Sequence, residues 1–324
     1  MEAVVAVDGG GSKTDIAVLA TTGALLARTR VGVYAQHVIG LQQSVERLDV
    51  AVRQLLDEAG NPAVVSAAVC FSDIDFPFEV QAYTQQLRQH PWAKGHLYVD
   101  NDTFAVLRVG TSAPTAVASV CGTGTNCVGR TGDGQVVRFA ALGEVSGDWG
   151  GGADLGMAAI WHAARAADGR GPATAFQTMV PASFGLTSME QVILRFHAGQ
   201  LTDEMAAQLA PLVFQAAQAG DQIAVSLVER QADEIVAFAT AAMRRLRVGR
   251  CPVVLGGGVV GAKNPLLLAA IGRRLAEQAP GAEMIVVTQP PIIGAALLAF
   301  DALGADADIL NRVRQELVAA PIDD

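Results

Sequence analysis

Cysteine is scarce in this chain, which has 4 cysteines among its 324 residues. That number is too small for the disulfide framework of a compact secreted domain. None of the cysteines forms a Cys-x-x-Cys pair, and no histidine stands at zinc-finger spacing from them. The sequence therefore predicts buried thiols in a reducing compartment, and we expect a cytoplasmic protein.

Long apolar runs and an excess of positive charge are also absent. No run reaches the roughly 18 residues that a membrane-spanning helix needs. The apolar run at the N-terminus has no basic start and stops at Asp8, unlike a signal peptide. The chain has 23 Lys and Arg against 32 Asp and Glu, a formal net charge of −9. We therefore expect neither a membrane nor a nucleic acid as a partner.

Apolar residues make up 51% of the chain, enough for a large core, and the length suggests two domains. The first third alternates between strand-like and helix-like segments. It predicts strands over residues 3–7, 14–20, 25–31, 63–70 and 96–99, and helices over residues 38–56, 79–88 and 102–109. This order indicates a layered α/β domain.

The pattern restarts near Thr115. A strand over residues 115–121, a glycine turn, a strand from Asn126 and a looser strand over residues 135–140 repeat the opening arrangement about 110 residues later, as in an internal duplication. Further segments are predicted as helices over 225–246, 265–276 and 291–303 and strands over 252–255 and 283–287. We expect domains over 1–114 and 115–324, the second with helical insertions. The last helix, over 307–317, either returns to the first domain or joins a dimer.

Three glycine-rich turns each follow a predicted strand. Glycine lets the backbone approach a ligand closely and point N–H groups at it, and Ser and Thr add hydroxyl donors. Such turns suit phosphate oxygens, although a single one is more simply a tight turn. The turns contain Gly10, Gly11, Ser12, Lys13 and Thr14 in the first, Gly122, Thr123, Gly124 and Thr125 in the second, and Gly256, Gly257 and Gly258 in the third.

Two familiar phosphate-binding motifs do not fit the first turn. A P-loop has Gly-Lys followed by Ser or Thr and then a helix, whereas here Ser12 precedes Lys13 and a strand follows. A dinucleotide-binding fingerprint also needs a helix after the turn. The first turn is therefore predicted to be a β-hairpin. Lys13 either adds positive charge near phosphate or is a solvated turn residue.

Candidate carboxylates stand at the ends of predicted strands: Asp8, Asp100, Asp102 and Asp148. A carboxylate beside a phosphate-binding turn can hold Mg²⁺, directly or through water. A second can accept the proton of an attacking hydroxyl. For Asp100, an N-cap or loop role is favoured, and for Asp102 a helix N-cap competes with a catalytic role. Trp149, flanked by Asp148 and glycine, either anchors packing or stacks on a ligand ring.

The ordered motifs resemble those of the BadF/BadG/BcrA/BcrD ATPase family, and most of all its N-acetylglucosamine kinase members, within the sugar kinase/Hsp70/actin superfamily. The resemblance spans about residues 3–300 and rests on the three glycine turns together with Asn101-Asp102 and Pro291-Ile292-Ile293-Gly294-Ala295-Ala296. It implies two ribonuclease-H-like lobes with ATP and Mg²⁺ in the cleft between them. It also implies a sugar as substrate. As a separate expectation, the chain is predicted to form a homodimer.

The resemblance assigns roles to several of the candidate residues. The first two glycine turns hold the phosphates, the third passes under the adenosine, and Asp8 is the carboxylate on the Mg²⁺ side. Asp102 is the base that accepts the proton of the sugar hydroxyl, and Asn126 and Asp148 hold sugar hydroxyls.

The chain departs from the kinase pattern at three places, all on the side implied to bind the sugar. Gln36 stands where the kinases have Asn, Ser72-Asp73-Ile74-Asp75 replaces a glycine-rich turn, and Trp149-Gly150-Gly151 replaces Glu-Gly-Ser. We include Gln36 and Trp149 among the residues expected to contact the sugar.

Three functions compete at this stage. The first is ATP-dependent phosphorylation of an amino sugar or hexose, with N-acetylglucosamine and a 6-phosphate product favoured. The second is an ATPase that activates a partner enzyme, as the BadF-type activators do through cysteines that hold an Fe–S cluster; here Cys121 and Cys127 flank the second glycine turn without a cluster pattern. The third is a nucleotide sensor in which Asp102 is idle.

Overall fold

The computed structural model describes residues 1–320. The chain divides into two compact units, one formed by Met1–Ala118 with the chain from Gln289 onward, the other by Ser119–Thr288. The boundary expected after residue 114 lies just before this division, and the last two helices belong to the first unit. No helix of the described residues is long and apolar enough to cross a membrane.

Within residues 1–320, ten strands form two sheets. In chain order they are β1 Glu2–Gly9, β2 Thr14–Ala20, β3 Leu25–Val31, β4 Ala63–Phe71, β5 His96–Asn101, β6 Ala116–Cys121, β7 Thr125–Arg130, β8 Val136–Arg138, β9 Cys251–Gly256 and β10 Ala282–Val286.

The helices connect and cover these sheets. They are α1 Gln36–Ile39, α2 Leu41–Glu58, α3 Pro77–Leu87, α4 Asp102–Gly110, α5 Gly151–Ala167, α6 Phe176–Ser183, α7 Met189–His197, α8 Asp203–Ala206, α9 Ala210–Gln218, α10 Gln222–Leu246, α11 Gly258–Gly261, α12 Pro265–Gln278, α13 Pro291–Asp301 and α14 Ala307–Ala319. Short 3₁₀ turns occupy Pro91–Ala93, Gly143–Ser146 and Ala207–Leu209.

The two sheets have the same strand order, which confirms the duplicated α/β architecture. The first is ordered β3-β2-β1-β4-β5 and the second β8-β7-β6-β9-β10. In the first sheet, β1 pairs antiparallel with β2 and parallel with β4, and β4 pairs parallel with β5. The carboxyl ends of three parallel strands therefore meet at one edge, where ligands bind in open α/β sheets.

Side-chain alternation along β1 decides which face carries the candidate carboxylate. Ala3, Val5 and Val7 belong to the core cluster that also contains residues of α2. Because successive side chains point to opposite faces, Asp8 lies on the other face. That face is covered by α13, which packs on β1, β4 and α4.

Two predicted segments differ in detail from the structure. The helix expected over residues 38–56 is interrupted at Gly40, where φ is +81°, so that α1 and α2 are separate helices. The looser strand expected over residues 135–140 is the three-residue β8. The glycine conformation breaks the first segment although its apolar periodicity continues across the break.

Candidate active site

The first glycine turn, residues 10–14, joins β1 to β2 and is the predicted β-hairpin. The Gly10 N–H donates to the Lys13 carbonyl at 2.9 Å and closes the turn. Gly11 and Ser12 are exposed, and a Cβ added to Gly11 would meet no protein atom within 4 Å. The Thr14 hydroxyl is buried and has no hydrogen-bond partner within the described chain. The turn thus combines open backbone with an unsatisfied hydroxyl.

Asp8 is the penultimate residue of β1, lies beside this turn and is half-buried. It lies opposite Asp15 in the β1–β2 ladder. Burial, Asp102 and Asp15 raise the pKa of Asp8 well above its ordinary value, while Arg28 and Lys13 act in the opposite direction. The positive charge of Lys13 therefore favours the ionised form of the Asp8 carboxylate.

Asp102 is the first residue of α4 but does not cap it, so the N-cap alternative is wrong. The cap is Asn101, whose side-chain oxygen accepts from the Thr103 N–H at 2.9 Å. Burial raises the pKa of Asp102 to about 7, opposed by hydrogen bonds from Thr103 and reinforced by the charge of Asp73. A carboxyl group with this pKa can exchange a proton near neutral pH.

Asn101 also fixes the start of α4 against the loop after β4. Its side-chain nitrogen donates to the Asp75 carboxylate at 3.0 Å and to the Ser72 carbonyl at 3.3 Å. Asp102 is thereby placed by its neighbour's contacts, and its own carboxylate is available for chemistry.

Gln36 and the loop at residues 72–75 are in contact, although they were predicted separately. The Gln36 side-chain nitrogen donates to the Asp73 carbonyl at 3.1 Å, and the His37 N–H donates to the Asp73 carboxylate at 3.2 Å. Asp73 is 8% exposed and its Oδ1 has no partner among the described residues. Burial raises the pKa of Asp73, opposed mainly by the hydrogen bond from His37. Sequence reasoning noted this loop but did not single out Asp73.

In the second unit, the second glycine turn (residues 122–125) and the third (residues 256–258) lie against each other. Gly257 has φ +86°, and a Cβ there would lie 2.4 Å from the Cys121 carbonyl carbon. A Cβ added to the neighbouring Gly258 would meet no atom of the described residues within 4 Å. Asn126 follows the second turn, and its side-chain oxygen accepts from the Cys127 N–H at 2.7 Å. The structure thus brings the second and third glycine turns together, and Asn126 directly follows the second.

The Trp149 loop, residues 147–150, precedes α5 and is bound to the second glycine turn through that helix. The Gly152 N–H donates to the Gly122 carbonyl at 2.8 Å and the Ala153 N–H to the Thr123 carbonyl at 3.0 Å. Asp148 is buried, and its carboxylate accepts from the Ser146 hydroxyl.

One face of Trp149 is covered by a residue that sequence reasoning missed. The Arg230 guanidinium carbon lies 3.8 Å from the centroid of the Trp149 ring. The next residue of α10, Gln231, accepts from the Gly151 N–H at 2.9 Å. No local pattern could have found these two residues, because their partners lie about eighty positions earlier in the chain.

The residues of the first unit fit a divalent cation held by a single carboxylate. Among the side chains that the structure describes, no three His, Cys, Asp or Glu residues form a group that could hold a metal ion. Mg²⁺ in nucleotide sites takes only one or two protein carboxylates and completes its shell with phosphate and water. The raised pKa of Asp8 reflects local negative charge that a cation would offset.

Comparison with known proteins gives a consistent result. Residues 5–299 match the model of the BadF/BadG/BcrA/BcrD ATPase family. The chain is 25% identical to N-acetyl-D-glucosamine kinase of Dictyostelium discoideum, covering 93% of this chain and 98% of that protein. It is also 25% identical to the N-acetylmuramic acid/N-acetylglucosamine kinase of Clostridium acetobutylicum, over 82% of this chain and 88% of the relative. A crystal structure from Chromobacterium violaceum, provisionally named an N-acetylglucosamine kinase, has 25% identity and a TM-score of 0.69, and the alignment covers 92% of this chain and 98% of that one.

Proposed function

Because this chain belongs to the BadF/BadG/BcrA/BcrD ATPase family, we propose that it is an ATP-dependent sugar kinase. It transfers the γ-phosphate to a hydroxyl of an amino sugar or hexose, with N-acetylglucosamine as the preferred acceptor and a 6-phosphate as the product. The observation that carries this proposal is Asp102, a half-buried carboxylate that does not cap its helix and has a pKa of about 7.

Asp102 acts as the general base in this proposal. It accepts a hydrogen bond from the primary hydroxyl of the sugar, orients the oxygen toward the phosphorus and takes its proton as the O–P bond forms. The raised pKa suits this task, because a base with a pKa near the working pH is ionised in about half of the molecules and still holds the proton well.

The nucleotide and the sugar are assigned to different residues. Backbone N–H groups and hydroxyls of the glycine turns absorb the charge that builds on the phosphates. The proposed nucleotide contacts are Asp8, Gly10, Gly11, Ser12, Lys13, Thr14, Gly122, Thr123, Gly124, Thr125, Gly256, Gly257 and Gly258. The proposed sugar contacts are Gln36, Asn126, Asp148 and Trp149.

Asp8 is the residue that would hold Mg²⁺, directly or through water. When bound, the cation would neutralise negative charge on the phosphate oxygens. A cytoplasmic location and a homodimer stay predictions.

The cysteines argue against the alternative of an Fe–S-dependent activator. Cys121 and Cys127, which flank the second glycine turn, are both buried. Burial raises the pKa of Cys121 to about 12 and raises that of Cys127 as well. Thiols that resist ionisation and lack exposure are poor ligands for a cluster shared with a second subunit.

A coupled ADP-release assay tests the proposed function directly. N-acetylglucosamine, glucosamine, glucose and mannose are compared at equal ATP and Mg²⁺. We expect N-acetylglucosamine to have the highest kcat/KM, by about tenfold or more over glucose, because an acceptor that leaves polar groups of the site unpaired is rejected. Reactions without sugar provide the control. ADP release at one rate with and without every sugar would contradict the proposal.

The pH dependence follows from the sign of the Asp102 pKa shift. The base must be ionised to accept a proton, so kcat/KM should rise about tenfold per pH unit below pH 7 and level off above it. The raised pKa of about 7 places the bend there rather than near pH 4. The measurement is kcat/KM from pH 5 to pH 9, with unfolding checked at each pH. A profile that is flat between pH 5 and pH 8 would remove Asp102 as the base.

A further inference from the structure

We propose that Gln231 is a positioning residue that couples the second glycine turn to the Trp149 loop, so that nucleotide bound at the turn is sensed at Trp149. The inference rests on the proposed function in taking the second glycine turn as a nucleotide contact. The new element is a link between the second glycine turn and the Trp149 loop, which are about 25 residues apart in the chain and share no sequence motif.

The link begins at the N-terminus of α5. The first backbone N–H groups of a helix have no partner within the helix and need one from elsewhere. Here the Gly152 and Ala153 N–H groups donate to the carbonyls of Gly122 and Thr123. A Cβ added to Gly151 would lie 2.5 Å from the Thr123 carbonyl oxygen. The start of α5 therefore lies directly on the second glycine turn and moves with it.

Gln231 of α10 also contacts the start of α5. It is fully buried in α10, and its side-chain oxygen accepts from the Gly151 N–H at 2.9 Å. Its side-chain nitrogen has no partner among the described residues. A Cβ on Gly150, which has φ +127°, would lie 2.5 Å from that nitrogen. The Gln231 side-chain amide therefore packs against the junction between the Trp149 loop and α5.

The neighbouring Arg230 holds the loop's side chain. Its guanidinium covers one face of Trp149, as described above, and its Nε lies 3.9 Å from the Glu234 carboxylate one turn along α10. A single helix thus contacts the loop at its backbone through Gln231 and at its indole through Arg230. A displacement of the second glycine turn reaches Trp149 through this short set of contacts, because the packed elements have no room to deform independently.

Tryptophan fluorescence during ADP titration tests the coupling. In the unsubstituted protein, saturating ADP should change the emission, and W149F should lose most of that change, which assigns the signal to Trp149. In Q231M, which keeps the side-chain length but loses the oxygen acceptor, the change should fall to about a fifth or less, while the Kd for ADP by calorimetry stays within about threefold. Q231E keeps an oxygen acceptor for the Gly151 N–H and should retain at least about half of the response.

T240V is the matched control. Thr240 lies on the same helix, is 7% exposed and donates to the Ala237 carbonyl at 3.1 Å. Its substitution also removes a buried hydrogen bond of α10, but more than two helical turns beyond Gln231, and the full response should remain. Steady-state kinetics add a second readout: Q231M should raise the KM for the sugar about tenfold with kcat within about threefold, and T240V should change neither.

The outcomes separate the two proposals. If calorimetry shows ADP binding but Trp149 does not respond in the unsubstituted protein, or if Q231M responds fully, the coupling is wrong and the kinase proposal stands. If Q231E loses the response as completely as Q231M, the coupling through the acceptor oxygen is also wrong. If ADP does not bind at all, the nucleotide-binding role itself is contradicted.

Discussion

Replacing Asp102 by asparagine is expected to lower kcat by roughly 10²–10⁴-fold, the usual contribution of a positioned general base. Asparagine has nearly the same shape, but its amide cannot take a proton at neutral pH. The KM for ATP should change little, because the proposed nucleotide contacts lie in the glycine turns. The measurement is steady-state ADP release with N-acetylglucosamine at pH 8, above the bend expected for the unsubstituted protein.

Asp100 provides the matched control for this substitution. It is the penultimate residue of β5, two residues before Asp102, is 7% exposed, and its carboxylate accepts from the Asn101 N–H at 2.7 Å. D100N removes a charge from the same strand end but not the proposed base, so kcat should fall by less than about tenfold. Equal losses in D100N and D102N would point to a general electrostatic effect, and an unchanged kcat in D102N would exclude the base role.

D102N should also make the folded protein more stable. The pKa of Asp102 is raised from 3.8 to about 7, so the folded state binds its proton more tightly than the unfolded chain. Any stability from that proton is present at low pH and lost as the pH rises through about 7. D102N avoids this loss, and its free energy of unfolding at pH 8 should exceed that of the unsubstituted protein by about 1–3 kcal/mol. The difference should be smallest near pH 4, and thermal unfolding at both pH values measures it.

The strands around the first glycine turn could be predicted from the sequence because their signals are local. The predicted bounds of residues 14–20 and 25–31 match β2 and β3. Alternating apolar and β-branched residues between glycine turns leave few other conformations. The repeated strand–turn–strand pattern likewise predicted an internal duplication, and the two sheets have the same strand order.

The contacts around the candidate site could not be predicted in the same way. That Asn101 and not Asp102 caps α4 is decided by backbone geometry, since both residue types are good caps. Asp73, Arg230 and Gln231 contact residues from distant parts of the chain, and those contacts exist only once the sheets and helices are assembled. Residue type and spacing suggested which residues take part, but only tertiary packing shows their partners.

Substitution of Gly294 is expected to disturb both stability and activity. It lies in α13, and a Cβ there would be 1.9 Å from the Ala105 carbonyl oxygen and 2.5 Å from its carbon. Both are backbone atoms of α4, which begins at Asp102, so no side-chain rotation relieves the clash. The glycine of the Pro291-Ile292-Ile293-Gly294 segment thus allows the two helices to approach closely.

G294A should therefore push α4 away from α13 and lower the free energy of unfolding by about 3 kcal/mol, the upper end for overpacking in a rigid core. Because α4 carries the proposed base, kcat should also fall, by about 100-fold for a displacement of the order of 1 Å. Denaturant unfolding and ADP release measure the two effects separately.

Gly272 offers a control of the same kind without the clash. It lies within α12, and a Cβ there would meet no atom of the described residues within 4 Å. In G272A, alanine restricts the unfolded chain and suits the helix, so the protein should gain about 0.5–1 kcal/mol with no change in kcat. If G294A were as stable and as active as G272A, the close approach of α13 to α4 would have no part in placing Asp102.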